Sequence, residues 1–210
     1  KVKPNTVMRE LRILRVLIDW VRDERGAEIK DNPARHLRVR GTGDARAPFF
    51  THQDEKRLLY ELSQMSNPNH LRLTKLALTT GFRRSELLSL TWRNIDIKNN
   101  RIHILRKECA ARGVSNSMRI VPLPLNAKKL LRSFESKKGN VIPITEGAAR
   151  NGFDKARKKA GLENLRFHDL RHIAISRMWS SGMNALEISA CSGHRDIKML
   201  MRYSHFKLSI

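Results

Sequence analysis

Apolar residues recur at three- and four-residue steps along most of this sequence, and that period constrains the fold more than any other feature. One such run lies between Thr6 and Arg25, and others follow Thr51 and residue 126. Between Ile102 and Leu123 the apolar residues instead alternate with polar ones around a polar turn. The first period is typical of amphipathic helices and the second of half-buried strands. The sequence therefore predicts a mainly α fold with a small β-hairpin, an α+β class.

Residues that begin and end helices place several of the predicted boundaries. Gly26 fits the C-cap of the first helix, Thr51 and Asp54 have the spacing of a capping box, and Gly81 interrupts a helix over residues 70–80, with the next beginning near Ser85. The period predicts further helices over residues 126–137, 146–160, 168–181 and 184–191, with a short segment near 196–202.

A basic, nearly apolar-free stretch over residues 35–48 divides the chain. Its arginines, two glycines and a proline are typical of a linker. Residues 1–46 contain one clear helix, which is too little to bury a self-sufficient core. We therefore predict two domains, residues 1–46 with the linker and residues 49–210, and we expect the first to lack N-terminal partner helices.

The chain carries 42 Lys and Arg against 20 Asp and Glu, a net charge of +22. Both predicted parts share the excess, with +5 over residues 1–48 and +17 over residues 49–210. A single basic run such as Lys155–Lys159 is usually a solvated helix face, but an excess on this scale indicates a polyanionic partner, nucleic acid or an anionic membrane surface. The size of the excess favours nucleic acid.

Compartment signals are those of a cytoplasmic protein. No apolar run approaches the roughly 18 residues of a membrane span, and the first residues lack the pattern of a secretory leader. Cys109 and Cys191 lie far apart and fit neither a disulfide framework nor a four-ligand metal site.

Three local patterns combine residue types suited to phosphate chemistry. They are Thr80–Glu86 (TGFRRSE), His168–His172 (HDLRH), and Gly193–His194 followed nine residues later by Tyr203. Alone, each is more typical of a surface ion pair, a helix cap or a packed tyrosine. Together, arginines can hold phosphate oxygens with paired donors, histidines can move protons, and a tyrosine can act as nucleophile.

The order and spacing of these patterns resemble the phage integrase or tyrosine recombinase family, from about Thr51 to the end of the chain. The resemblance identifies Arg83 and Arg171 with the two catalytic arginines, His168 and His194 with the catalytic histidines, and Tyr203 with the nucleophile. Glu86 and His172 match supporting positions. The catalytic lysine of the family matches Lys107, and Arg106 and Arg119 flank the same loop. The first residues resemble the end of the family's helical core-binding domain.

The resemblance implies a site-specific recombinase that cuts and rejoins double-stranded DNA without metal, cofactor or ATP. Tyr203 would form a 3′-phosphotyrosyl bond, Lys107 would protonate the leaving 5′-oxygen, and His168 would assist proton removal from the tyrosine. The family implies self-association into a tetrameric synapse on DNA, and we expect a monomer without DNA. The sequence around these motifs is similar to that of mobile-element integrases and DNA-inversion recombinases.

Three other readings stay open at this point. A type IB topoisomerase uses the same tyrosine chemistry. A decayed recombinase could bind DNA without cutting it, although competent residue types occupy every candidate position. A zinc hydrolase built on His168 and His172 is disfavoured because the metalloprotease glutamate is missing and Arg171 would repel a dication.

Overall fold

The computed structural model describes residues 2–39, 50–105, 118–135, 137–194 and 196–201. The chain divides into two compact units, Lys1–Arg46 and Ala47–Ile210. No helix among the described residues combines the length and the apolarity that crossing a membrane requires.

The first unit is one long helix closed by a short turn. Helix α1 spans Pro4–Arg25 and ends at Gly26, whose φ of 64° provides the predicted left-handed C-cap. Asn32 is fully buried, and its amide nitrogen donates to the Arg15 carbonyl and to Asp19 Oδ1, each at 2.9 Å. This network fixes the turn against the helix through polar contacts, and no residue of α1 is itself fully buried.

The second unit is a bundle of helices with one small sheet, which confirms the mainly α, α+β fold class. Its described elements are α2 His52–Ser63, α3 Asn69–Thr80, α4 Arg84–Leu88, β1 Ile95–Asp96, β2 Arg101–Leu105, β3 Met118–Pro122, α5 Leu125–Arg132, α6 Glu146–Lys159, α7 Asp169–Ser180, α8 Ala185–Ser192 and α9 Lys198–Met201.

Helix α3 lies at the centre of this unit because its apolar residues face several neighbours. Leu73 and Leu76 are each 1 % exposed, and the helix packs against α2, α5, α6 and α7. Truncating a leucine buried to this extent typically costs about 2–5 kcal/mol. The turn that carries Gly81 therefore follows a helix packed on several sides.

The sheet is antiparallel, with the strand order β1–β2–β3. The predicted hairpin is its β2–β3 pair, in which Ile102 pairs with Val121 and Ile104 with Arg119. Alternation buries Val121 and leaves Ile120 54 % exposed, so the same alternation turns Arg119 toward the core.

One predicted helix is shorter than expected. The apolar pattern predicted a helix over residues 126–137, but α5 ends at Arg132 and Ser133 follows as its C-cap. Phe134 leaves the helical path to pack edge to face against Trp92, with ring centroids 5.9 Å apart. Lys137 Nζ donates to the Leu131 carbonyl at 2.6 Å, so a side chain replaces the helix's last turn.

Candidate active site

The first arginine motif lies in the turn between α3 and α4. Gly81 ends α3 in the left-handed region, at φ 67°, and the backbone is extended at Arg83 before α4 begins. Glu86 accepts the Arg83 backbone N–H at 2.8 Å through Oε2 and Arg83 Nη1 at 3.2 Å through Oε1. One carboxylate therefore caps α4 and orients a guanidinium whose side chain stays 44 % exposed.

The second arginine motif lies in the first turn of α7. Arg171 is 3 % exposed although it is charged. Its Nη1 donates to the Gly81 carbonyl at 2.7 Å, across 90 positions of sequence. A buried charge is stable only where its donors are satisfied. This bond therefore fixes Arg171 against the turn that carries Arg83.

The two arginines line one open cavity of about 240 Å³. Arg84 lies at the same cavity and donates to Glu146 Oε1 at 2.8 Å, which ties α4 to the start of α6. The cavity is lined by Phe82, Arg83, Arg84, Ser85, Glu146, Phe167, His168 and Arg171. An anion entering it meets several fixed donors at once.

His168 lies at the N-terminus of α7 beside Arg171. Burial, followed by the charge of Arg171, lowers the pKa of His168. Its ring is therefore neutral near pH 7, with one nitrogen free to accept a proton. His172 lies one turn later, edge to face with His168 at 5.0 Å between ring centroids. No group of three His, Cys, Asp or Glu in the described part of the chain is arranged to hold a metal ion.

His194 approaches the same arginine from the end of α8. Arg171 Nη2 lies 3.3 Å from its Nδ1 and 3.4 Å from its Nε2. Burial is the largest cause that lowers the pKa of His194 to about 4, and the charges of Arg171 and Arg83 act in the same direction. The two charges that depress the pKa belong to the two arginine motifs, so all three motifs converge.

Arg119 is a site residue that the sequence analysis did not assign. It is 8 % exposed, its Nη2 lies 3.2 Å from Glu86 Oε2, and its guanidinium lies 5.5 Å from the centroid of the Phe82 ring. Gly193 has φ 73°, and a Cβ at this position would overlap the Arg119 guanidinium. Arg119 therefore joins the sheet to the first arginine motif and to the turn before His194. A charged residue at a core-facing position of an alternating strand was its signal.

Ser192 is a second unassigned residue, and its hydroxyl lies 2.7 Å from His194 Nδ1. Lys107 and Tyr203, which the resemblance identified as acid and nucleophile, lie outside the described residues. The structure therefore describes six of the predicted site residues, which are Arg83, Glu86, His168, Arg171, His172 and His194.

Comparison with known protein families identifies the family of this chain. The phage integrase family model matches residues 48–208. The chain belongs to the phage integrase family. A shufflon-specific DNA recombinase of Escherichia coli is 34 % identical over 97 % of this chain and 51 % of the relative. The integrase of Escherichia phage 186 is 30 % identical over 98 % of this chain and 58 % of the relative. The chain thus spans about half the length of these relatives.

Solved structures agree with the family's fold. The catalytic domain of bacteriophage HP1 integrase superposes with a TM-score of 0.64 at 28 % identity, covering 78 % of this chain and 90 % of that domain. The Tn1549 transposon integrase, in complex with circular intermediate DNA, gives 0.72 at 21 % identity, over 96 % of this chain and 75 % of the other. The second likeness establishes the fold alone.

Proposed function

We propose that this chain is the catalytic part of a site-specific DNA recombinase that cuts and rejoins double-stranded DNA through a 3′-phosphotyrosyl intermediate. The observation that carries the proposal is the hydrogen bond from Arg171 to the Gly81 carbonyl, which places the second arginine motif on the first. The family membership and relatives named as integrases and a recombinase support the same reaction class.

In this proposal the cavity holds the scissile phosphate. Arg83 and Arg171 donate to its non-bridging oxygens, and His194 adds an imidazole N–H. Charge grows on these oxygens as the phosphorus becomes five-coordinate, and fixed donors stabilise that charge without reorganising. Arg is suited to the task because its planar donors match two phosphate oxygens at once. Glu86 serves by orienting Arg83, and His172 by packing against His168.

The cleavage step is a transesterification. The Tyr203 hydroxyl oxygen attacks phosphorus and forms a 3′-phosphotyrosyl bond, while the bond from phosphorus to the 5′-oxygen breaks. His168, whose pKa is lowered by burial and by the charge of Arg171, assists removal of the phenol proton, and Lys107 protonates the leaving 5′-oxygen. One phosphodiester is exchanged for another, so a 5′-hydroxyl of a partner strand can reverse the step without ATP.

The partners follow from the same proposal. Double-stranded DNA is the polyanion that the net charge of +22 accommodates, and strand exchange requires a tetrameric synapse of protomers that are monomeric without DNA. We assign the first unit to the end of a helical core-binding domain and residues 49–210 to the catalytic domain. The protein acts in the cytoplasm, on the nucleoid or on a mobile element.

A covalent trapping experiment tests the proposal. The chain is incubated with a pool of nicked duplexes whose sequence around the nick is randomised, so that the short strand diffuses away after cleavage and religation is blocked. We expect a protein–DNA adduct that survives denaturing electrophoresis. Tyr203→Phe abolishes the adduct. Tyr60→Phe preserves it, because Tyr60 is the other tyrosine of the chain and is 62 % exposed on α2.

Two outcomes would replace the proposal with an alternative. Duplex binding by the wild type without any adduct would indicate a DNA-binding remnant of a recombinase. The wild type could also form the adduct and relax a supercoiled plasmid that carries the recovered site, yet never exchange strands between two such sites. That result would indicate a type IB topoisomerase.

A further inference from the structure

We propose that Ser192 is a positioning residue whose hydroxyl donates to Nδ1 of His194 and thereby keeps the imidazole proton on Nε2. The inference rests on the proposed function, because it concerns which nitrogen of His194 faces the phosphate. Sequence reasoning gave Ser192 no role.

The Ser192 hydroxyl contacts the ring of His194 at Nδ1. Ser192 is the last residue of α8 and is fully buried. Gly193 then reverses the chain in the left-handed region, so that His194 folds back over the end of the helix. Ser192 Oγ lies 2.7 Å from His194 Nδ1 and 2.6 Å from the Ile188 carbonyl oxygen.

The serine has one hydroxyl proton for these two acceptors. If the proton goes to the Ile188 carbonyl, Oγ must accept from an Nδ1–H, and Nε2 is left with a lone pair. If it goes to Nδ1, the ring proton lies on Nε2. The Ile188 carbonyl does not depend on the hydroxyl, because the i→i+4 pattern of α8 supplies the Ser192 backbone N–H. No backbone N–H of the described residues donates to His194 Nδ1, whose neighbours are Ser192 Oγ and Arg171 Nη2.

The negative charge of a bound phosphate selects between the two positions of the ring proton, Nδ1 and Nε2. A phosphate oxygen accepts hydrogen bonds and donates none, so a nitrogen that faces it must carry a proton. His194 is neutral near pH 7, since burial and the two arginines hold its pKa near 4. Ser192 occupies Nδ1, so Nε2 is the nitrogen left for a phosphate, and the single N–H of a neutral ring must lie there. Arg171 does not decide the tautomer, because its Nη2 is nearly equidistant from the two ring nitrogens.

A simpler reading is that Ser192 is a helix-terminal serine bonded back to its own helix. Ser189 provides the matched comparison. It lies on the same helix and its Oγ donates to the His194 carbonyl oxygen at 2.6 Å. Loss of Ser189 thus removes a bond to the backbone of His194, whereas loss of Ser192 removes a bond to its ring.

Nitrogen NMR of the 15N-histidine-labelled chain at pH 7 tests the proposal, with the His194 signals assigned from a His194→Gln variant. We expect a protonated Nε2 and an unprotonated Nδ1 in the wild type and in Ser189→Ala. Ser192→Ala should give a mixture of tautomers, and Ser192→Thr, which keeps the hydroxyl, should restore the wild-type pattern. In the trapping assay, Ser192→Ala should slow adduct formation about tenfold with unchanged duplex affinity.

The wild-type spectrum alone can overturn the proposal, which fails if the proton lies on Nδ1, whatever the variants do. It also fails if Ser192→Ala folds and keeps the wild-type tautomer. Absence of an adduct in a wild type that shows the Nε2–H tautomer would instead contradict the proposed function and leave the hydrogen bond established.

Discussion

Arg171 is a charged residue that is almost fully buried. Its Nη1 satisfies the Gly81 carbonyl and its Nη2 reaches the ring of His194. Lysine keeps the charge but lacks the planar set of donors that can serve both positions. Arg171→Lys should therefore leave the Gly81 carbonyl or the His194 side of the site without its donor.

We expect Arg171→Lys to lower the free energy of unfolding by about 2 kcal/mol, the cost of an unsatisfied buried group. Adduct formation should fall by about 10² or more, as for loss of one transition-state donor. Urea unfolding and single-turnover trapping measure the two effects. Arg177→Lys, on the exposed side of the same helix, is the control. Wild-type cleavage by Arg171→Lys would contradict the role given to this residue.

Sequence spacing located the residues of the motifs and the supporting Glu86 and His172, but it gave no role to Arg119 or Ser192. Arg83, His168 and His194 stand in patterns whose order along the chain carries information. Arg119 and Ser192 act through contacts that the sequence does not display, since they depend on the ion pair between Arg119 and Glu86 and on the reversal at Gly193. Such residues become identifiable once the register of the strand and the end of the helix are known.

A buried ion pair links β3 to α4. Arg119 Nη2 and Glu86 Oε2 lie 3.2 Å apart, with side chains 8 % and 12 % exposed. In Arg119→Met, Glu86 keeps its bonds to Arg83, so we expect a loss of about 2 kcal/mol in urea unfolding. Arg101→Met, on the exposed face of β2, should change stability by less than about 0.5 kcal/mol. Equal effects of the two variants would refute the linking role of Arg119.

The packing of α3 against α6 predicts how stability depends on pH. His70 lies so close to Gly152 that a Cβ there would overlap its ring. Its buried Nδ1 has no hydrogen-bond partner among the described residues, and burial lowers the pKa of His70. The unfolded state therefore binds a proton at a higher pH than the folded state does, so stability is full above pH 6.5 and falls as the pH is lowered below it.

His70→Phe removes this titration while keeping a flat ring. We expect the loss of stability below about pH 6.5 to become shallower than in the wild type, with His168 and His194 still contributing. His52→Phe, at an exposed position of α2, is the matched control. Thermal unfolding across the pH series measures both, and an unaltered slope in His70→Phe would contradict the assignment.

Boundaries set by local chemistry were predictable from the sequence. The Thr51–Asp54 capping box and the left-handed glycines after α1 and α3 are confirmed, because each depends on a few neighbouring residues. The early end of α5 was not predictable, since it depends on the packing of Phe134 against Trp92. Strand β1 was missed because two residues are too short to show alternation.

The charge of the whole molecule predicts the strength and salt dependence of DNA binding. Each phosphate that the net charge of +22 neutralises releases condensed counterions, so log K should fall against log salt with a slope of about −0.9 per contact. Fluorescence anisotropy with a labelled duplex between about 50 and 200 mM salt measures the slope, which we expect to correspond to several contacts. Binding that is insensitive to salt would contradict a phosphate-dominated interface.

The family resemblance and the charge balance were both available from the sequence, whereas the shared cavity was not. Arg83 and Arg171 are separated by more than a third of the chain, and only the packing of α7 against α3 and its closing turn brings them together.

Peptide mapping of the trapped adduct identifies the residue that attacks the phosphate. After nuclease and protease digestion, mass spectrometry identifies the residue that retains a nucleotide. We expect a 3′-phosphonucleotide on the peptide that contains Tyr203 and none on the peptide that contains Tyr60. A nucleotide on Tyr60, or on a serine or histidine of the site, would contradict it.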